Sequence, residues 1–121
     1  ITESTREIIQ NYVDVLVSNM DEARAITKVE DIDKTLNTLN AICELVIVTT
    51  GKEGCVVLKD KERIYVPSDN LAGMADTTGA GDAFSAGFIV GRLRNTDIVQ
   101  CAQLGHETAA NFLKEKARLF S

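Results

Sequence analysis

An α/β fold with a mostly parallel sheet and helices on both its faces is what this chain of 121 residues predicts. Two apolar, β-branched runs, VDVLVS at 13–18 and LVIVTT at 45–50, have the length and composition of strands covered on both sides. Amphipathic stretches with helical spacing surround them. The resulting order is strand, helix, helix, strand, hairpin, helix, helix, with no internal repeat and no low-complexity segment.

Residues 4–10 read as the end of a short helix. After the strand at 13–18, Asn19 and Asp21 open a helix over MDEARAIT, whose first-turn acids suit the positive end of the helix dipole. The polar link KVED leads to a helix over 31–44, with Ile32, Leu36, Leu39 and Cys43 on its apolar face. The strand at 45–50 follows, then a turn at GKEG, 51–54. Strands at 55–59 and 63–66 pair as a hairpin around DKE, and 67–74 is loop. A helix runs from 80 to 93. Its small residues Ala83, Ala86, Gly87 and Gly91 are expected to pack closely on the sheet. RNTD ends it, with Thr96 or Asp97 as the next N-cap. The last helix carries Cys101, Leu104, Gly105, Thr108, Ala109 and Phe112 on one face and extends towards Leu119.

Apolar residues make up 45% and charged residues 26%, the balance of an ordinary globular chain with room for one modest core. A net charge of −5 argues against a nucleic-acid partner. It leaves phosphate binding open, because backbone amides or a metal can supply a local positive field. No apolar run reaches membrane-spanning length and no basic-then-apolar leader is seen, so a cytoplasmic protein is expected. Cys43, Cys55 and Cys101 lack metal-site spacing and are expected to be reduced, buried thiols.

The chemistry concentrates in DTTGAGDAFSAGF, residues 76–88. Gly79 and Gly81 permit a tight loop and close approach of another molecule to the backbone. If a helix starts here, three consecutive N–H groups at 79–81 are expected to face outward unpaired, and such a start binds anions. Asp82 then lies in the first turn beside the anion. A carboxylate there can hold and deprotonate an attacking hydroxyl while the amides stabilise a phosphoryl group in transfer. Composition alone leaves a second reading open, an acid that answers the helix dipole after a glycine turn. No G-x-x-x-x-G-K-[ST] phosphate loop is present.

The same stretch resembles, without a gap, the second signature of the ribokinase-like (PfkB) carbohydrate kinase family, Asp-Thr-x-Gly-Ala-Gly-Asp followed by a small-residue helix. SNMDEARAI resembles the family's N-x-x-E motif after a strand. VTTGKEG resembles its strand-end nucleotide loop, and CAQLGHETAANFL its late helix beside the purine. The resemblance covers nearly the whole chain and implies a three-layer, Rossmann-like ribokinase-type fold. It implies an ATP-dependent phosphotransferase that moves the γ-phosphoryl group to a hydroxymethyl group of a sugar or nucleoside. Asp82 would be the base, and Gly79, Ala80 and Gly81 the anion hole. Glu22 would order Mg²⁺ through water, with Asn19 close by. Thr49, Thr50, Gly51 and Gly54 would line the nucleotide, and His106 would sit near the adenine ring. Asp76 and Thr78 would contribute to a monovalent-cation site for K⁺. Structural readings stay beside these: Asn19 and Glu22 as an N-cap and first-turn acid, Thr49 as a strand residue, Gly51 and Gly54 as a turn, His106 as a packed or solvated ring, Asp76 as a turn cap.

The family's domain is much longer, so the resemblance implies only its C-terminal, nucleotide-binding portion. The N-terminal part, with most of the sheet, the lid strands and the acceptor-binding residues, would be absent, and an open sheet edge is expected. An isolated chain of this length is expected to be inactive, and a homodimer is open for the full-length protein. A non-catalytic nucleotide-binding module is the alternative. The C-terminus reads KEKARLFS, where the family carries a glycine-containing loop that completes the cation site. The look of ERIYVPSDNLAGMADTTGAGD leans towards the adenosine-kinase-like and fructokinase-like branches.

Overall fold

The computed structural model describes residues 2–68 and 77–120, with the Lys52 side chain also left undescribed; Asp76 and most of the expected loop at 67–74 lie outside those residues. The elements are α1 (Glu3–Tyr12), β1 (Val15–Asn19), α2 (Met20–Thr27), α3 (Ile32–Ile42), β2 (Leu45–Thr49), a 3₁₀ turn (Gly51–Glu53), β3 (Gly54–Lys59), β4 (Glu62–Pro67), α4 (Ala80–Leu93) and α5 (Ile98–Phe120). One sheet has the order β1-β2-β3-β4. Two units divide the chain, one reaching to Thr50 and adding Val56–Tyr65, the other made of Gly51–Cys55 and the residues from Val66 onward.

In the first unit β1 and β2 run parallel, with Val15 opposite Leu45 and Asn19 opposite Thr49. Leu45 to Val48 are all buried, as their β-branched run requires. Leu36, Leu39 and Ile42 of α3 pack with Ile9, Ala23, Val46, Val48 and Leu58 in a single core. The α3 helix is shorter than its sequence pattern. Asp31 caps it by accepting from the Lys34 amide at 2.9 Å. It ends at Ile42, and Cys43 is an extended, buried C-cap. Ile32 is 48% exposed, because it sits in the first turn beyond the packed part of the face. The fully buried Thr35 takes a place on that face, and its hydroxyl donates to the Val29 and Asp31 carbonyls.

The hairpin turn between β3 and β4 is tighter than DKE suggested. Asp60 and Lys61 have φ of 53° and 66°, the signature of a two-residue type I′ turn. Asn40 anchors it by accepting from the Lys61 amide at 3.1 Å. Arg63 ties β4 to α3 through Asp33, at 2.6 Å, and Asn37.

In the second unit α4 and α5 pack along each other. Here the expectation for the small-residue face is corrected. A Cβ at Gly87 would lie 2.7 Å from the Leu104 carbonyl, and one at Gly91 3.0 Å from the Cys101 Cα. These glycines therefore admit α5. Gly105 completes the contact: a Cβ there would lie 2.7 Å from the Phe84 ring. Asp97 caps α5, accepting from the Gln100 amide at 2.9 Å, while the Thr96 hydroxyl turns back to the Gly91 carbonyl. All three cysteines are buried and free, and burial pushes the Cys55 thiol up to about 12.

Candidate active site

The opening of α4 is built on Gly79, the N-cap, at φ 90° and ψ −5°. That left-handed geometry favours glycine. The Phe112 ring reinforces the choice, since a Cβ at Gly79 would lie 2.8 Å from it. The Ala80 amide donates to the Thr77 carbonyl at 3.1 Å, closing the turn. The expectation of three unpaired amides is thus corrected at Ala80. Among the described residues no carbonyl accepts from the amides of Gly79 or Gly81. A Cβ at Gly81 would meet nothing within 4 Å among those residues. Asp82 follows in the first turn, exposed and without a described cation beside it. Phe84 and Phe88 point the other way, buried and stacked with ring centroids 6.2 Å apart. The four-residue spacing that puts both rings inside leaves Asp82 outside. Thr78 lies in the preceding turn, where its carbonyl accepts from the Lys116 ammonium at 3.2 Å.

A second group forms at the carboxyl ends of the parallel strands, in the first unit. Asn19 ends β1 and caps α2 in a reciprocal box. Its side-chain oxygen accepts from the Glu22 amide at 2.7 Å, and its own amide donates to Glu22 Oε1 at 2.9 Å. Both residues are exposed. The structural reading of N-x-x-E is therefore realised, yet it uses only one Glu22 carboxylate oxygen. Thr49 lies opposite Asn19 in register, and its hydroxyl donates to the Ser18 carbonyl at 3.4 Å. Carboxyl ends of adjacent parallel strands are where open α/β sheets take ligands.

A third group meets at the Val66 carbonyl, in the second unit. His106 is 4% exposed, and its Nε2 lies 3.2 Å from that oxygen. Its ring sits 5.0 Å from the Phe84 ring. Burial holds the imidazole below the usual histidine range, against the opposing pull of the Val66 bond. A neutral ring that donates from Nε2 satisfies both. The described partners of His106 are the Val66 carbonyl and the Phe84 ring. Gly54 abuts the same strand end at φ 135°, with a Cβ 2.8 Å from the Pro67 Cα. Gly51 has φ 71°, so its place in the turn after Thr50 calls for glycine by conformation alone.

Two contributors escaped the sequence reading, Phe112 under Gly79 and Lys116 on Thr78. They are four residues apart, so one face of α5 carries both. That spacing was the available signal. Among the described residues no three His, Cys, Asp or Glu side chains gather as a ready-made metal centre, and no helix is long and apolar enough to cross a membrane.

The model of the pfkB family carbohydrate kinases matches residues 2–117. The chain belongs to that family. An uncharacterized sugar kinase of Archaeoglobus fulgidus is 42% identical over 72 residues, 60% of this chain and 28% of that protein. Cytidine kinase of Thermococcus kodakarensis is 33% identical over 115 residues, 91% of this chain and 40% of that one. The solved structure of adenosine kinase from Sinorhizobium meliloti superposes with a TM-score of 0.82 at 36% identity, covering 88% of this chain and 33% of its own. The pfkB chain thus spans between 28% and 40% of the length of these relatives. Its α/β fold with a mixed sheet is shared with ribokinase-type sugar and nucleoside kinases.

Proposed function

We propose that this chain is the C-terminal, nucleotide-binding part of an ATP-dependent kinase for a sugar or nucleoside hydroxymethyl group. The observation that carries the proposal is the α4 opening. Among the described residues Gly81 has no packing or conformational reason to be glycine, and it stands beside an exposed Asp82 that has no described cation partner. Glycine in a helix costs about 0.5–1 kcal/mol relative to alanine. A ligand that needs the bare backbone accounts for that cost, and a helix start selects an anion.

In the reaction the acceptor oxygen attacks the γ-phosphorus of ATP. The new O–P bond forms as the bond to the β,γ-bridging oxygen breaks, and ADP leaves. Asp82 takes the hydroxyl proton. The amides of Gly79 and Gly81, with the Ala80 backbone between them, face the charge on the equatorial oxygens. Mg²⁺ supplies charge neutralisation on the phosphates when bound, and the Glu22 oxygen not used by the capping box suits it as a water-mediated anchor, with Asn19 holding Glu22 in place. Thr49, Thr50, Gly51 and Gly54 border the nucleotide, and His106 acts by fixing the end of β4 at Val66.

Asp82→Asn in the full-length polypeptide tests the base. Turnover should fall by about 10³-fold while Mg-ATP affinity, measured by calorimetry, stays within about threefold. Activity close to wild type refutes the assignment. Binding without any turnover in the wild type, against a panel of sugars and nucleosides, favours the non-catalytic module.

A further inference from the structure

The monovalent-cation site that the family resemblance implies does not fit its described part, the Thr78 turn before α4. A backbone carbonyl is the kind of oxygen that ligates K⁺ or Na⁺. The Thr78 carbonyl already accepts from the Lys116 ammonium at 3.2 Å. An ammonium held at that oxygen leaves a free monovalent ion little to add there.

We propose that Lys116 is a positioning residue for the phosphoryl-transfer site: its tethered ammonium does at the 77–79 turn what a bound monovalent cation would do. The proposal rests on the kinase reading above. Three observations support it. First, Thr78 directly precedes Gly79, so a cation on its carbonyl braces the turn that the Ala80–Thr77 hydrogen bond closes. The direction of the Gly79 and Gly81 amides follows from that turn. Second, α5 grips the opening at more than one point. Phe112 lies against Gly79, Leu113 and Ala110 pack with Ala80, and Lys116 holds Thr78. Third, the electrostatics are opposed at the two helix ends. The positive end of α4 disfavours a nearby ammonium, whereas the last turns of α5 favour one. A cation carried from the end of α5 to the start of α4 therefore strengthens the positive field there, which suits phosphate oxygens and serves α4 itself poorly.

The test uses the full-length protein in potassium chloride and in choline chloride at equal ionic strength. Phosphoryl transfer and Mg-ADP affinity are both measured. For the wild type both should agree within about twofold between the salts, and Lys116→Met should lose about tenfold in both quantities in choline, the loss of one charge-assisted hydrogen bond. Potassium, ammonium or ethylammonium ion should restore most of that loss, a rescue that damaged folding would not show. Lys114→Met, exposed and two residues away, should behave as wild type. A wild type strongly activated by potassium overturns the proposal, and this arm needs no variant to fold. A Lys116→Met protein that is unaffected, or that no small cation rescues, overturns it too. If no acceptor is phosphorylated while the salt pattern of Mg-ADP binding holds, the kinase reading fails and the cation assignment stands. A flat binding pattern overturns the assignment whatever the turnover.

Discussion

Replacing Gly81 with alanine separates a glycine kept for the chain from a glycine kept for a ligand. The added methyl meets nothing within 4 Å among the described residues, and Gly81 has no positive φ to defend. Alanine lowers backbone entropy in the unfolded chain and raises helix propensity, so the variant should gain about 0.5–1 kcal/mol of stability. The same methyl stands over the Gly81 amide, beside Asp82, where the phosphoryl oxygens are proposed to lie. Displacing one such donor from its anion costs on the order of 10²-fold in kcat. The assay pairs a thermal melt with a coupled measurement of ADP formation by the full-length protein. The expected result is a melting point equal to or above wild type with turnover down about a hundredfold. Full activity at raised stability would show that no ligand uses the bare backbone. A loss of stability above about 1 kcal/mol would show that glycine serves packing, contrary to the geometry.

Gly87→Ala should give the opposite signature. Its methyl would press on the Leu104 carbonyl at 2.7 Å, a backbone atom that cannot rotate away, so overpacking of about 1–3 kcal/mol should exceed the propensity gain, read as a lower urea midpoint. Glu22→Gln keeps an oxygen for the Asn19 amide and loses the charge. Stability should change by less than about 0.5 kcal/mol while the Mg²⁺ concentration for half-maximal rate rises several-fold; Asn19→Ala should instead cost about 1 kcal/mol of stability. His106 is held neutral by burial, its folded pKa lying below the ordinary 6.5. The unfolded chain binds the proton more readily, so stability is fully present above pH 6.5 and declines as pH falls below it towards the lowered folded value; His106→Gln should remove that decline in a pH series of denaturant melts.

What could be read from the sequence is what local chemistry settles. Gly79, Gly81 and Asp82 announce a helix start because a left-handed cap, a bare amide and a first-turn acid are properties of neighbouring residues. Asn19 and Glu22 announce a capping box at a spacing the backbone itself imposes. The parallel pairing of β1 and β2 follows from two apolar runs with a helical crossover between them. The features that local chemistry leaves open depend on partners remote in sequence. The small face of α4 says that something approaches closely, but a sheet and a helix make the same demand; only Leu104, Cys101 and Thr108 show that it is α5. His106 shows the same limit from the opposite side. A lone histidine on a helix offers a ligand contact or a packed ring with equal economy, and the Val66 carbonyl, on a strand far earlier in the chain, decides where its Nε2 points. The Ala80 amide marks the boundary between the two cases. Helix chemistry requires that the first amides lack helical partners, yet the Thr77 carbonyl supplies one through the preceding turn. The anion site is therefore narrower than a helix start alone implies. With one donor committed to the turn, the direction of the remaining amides depends on how firmly that turn is held, and the residues that hold it, Phe112 and Lys116, both lie on α5.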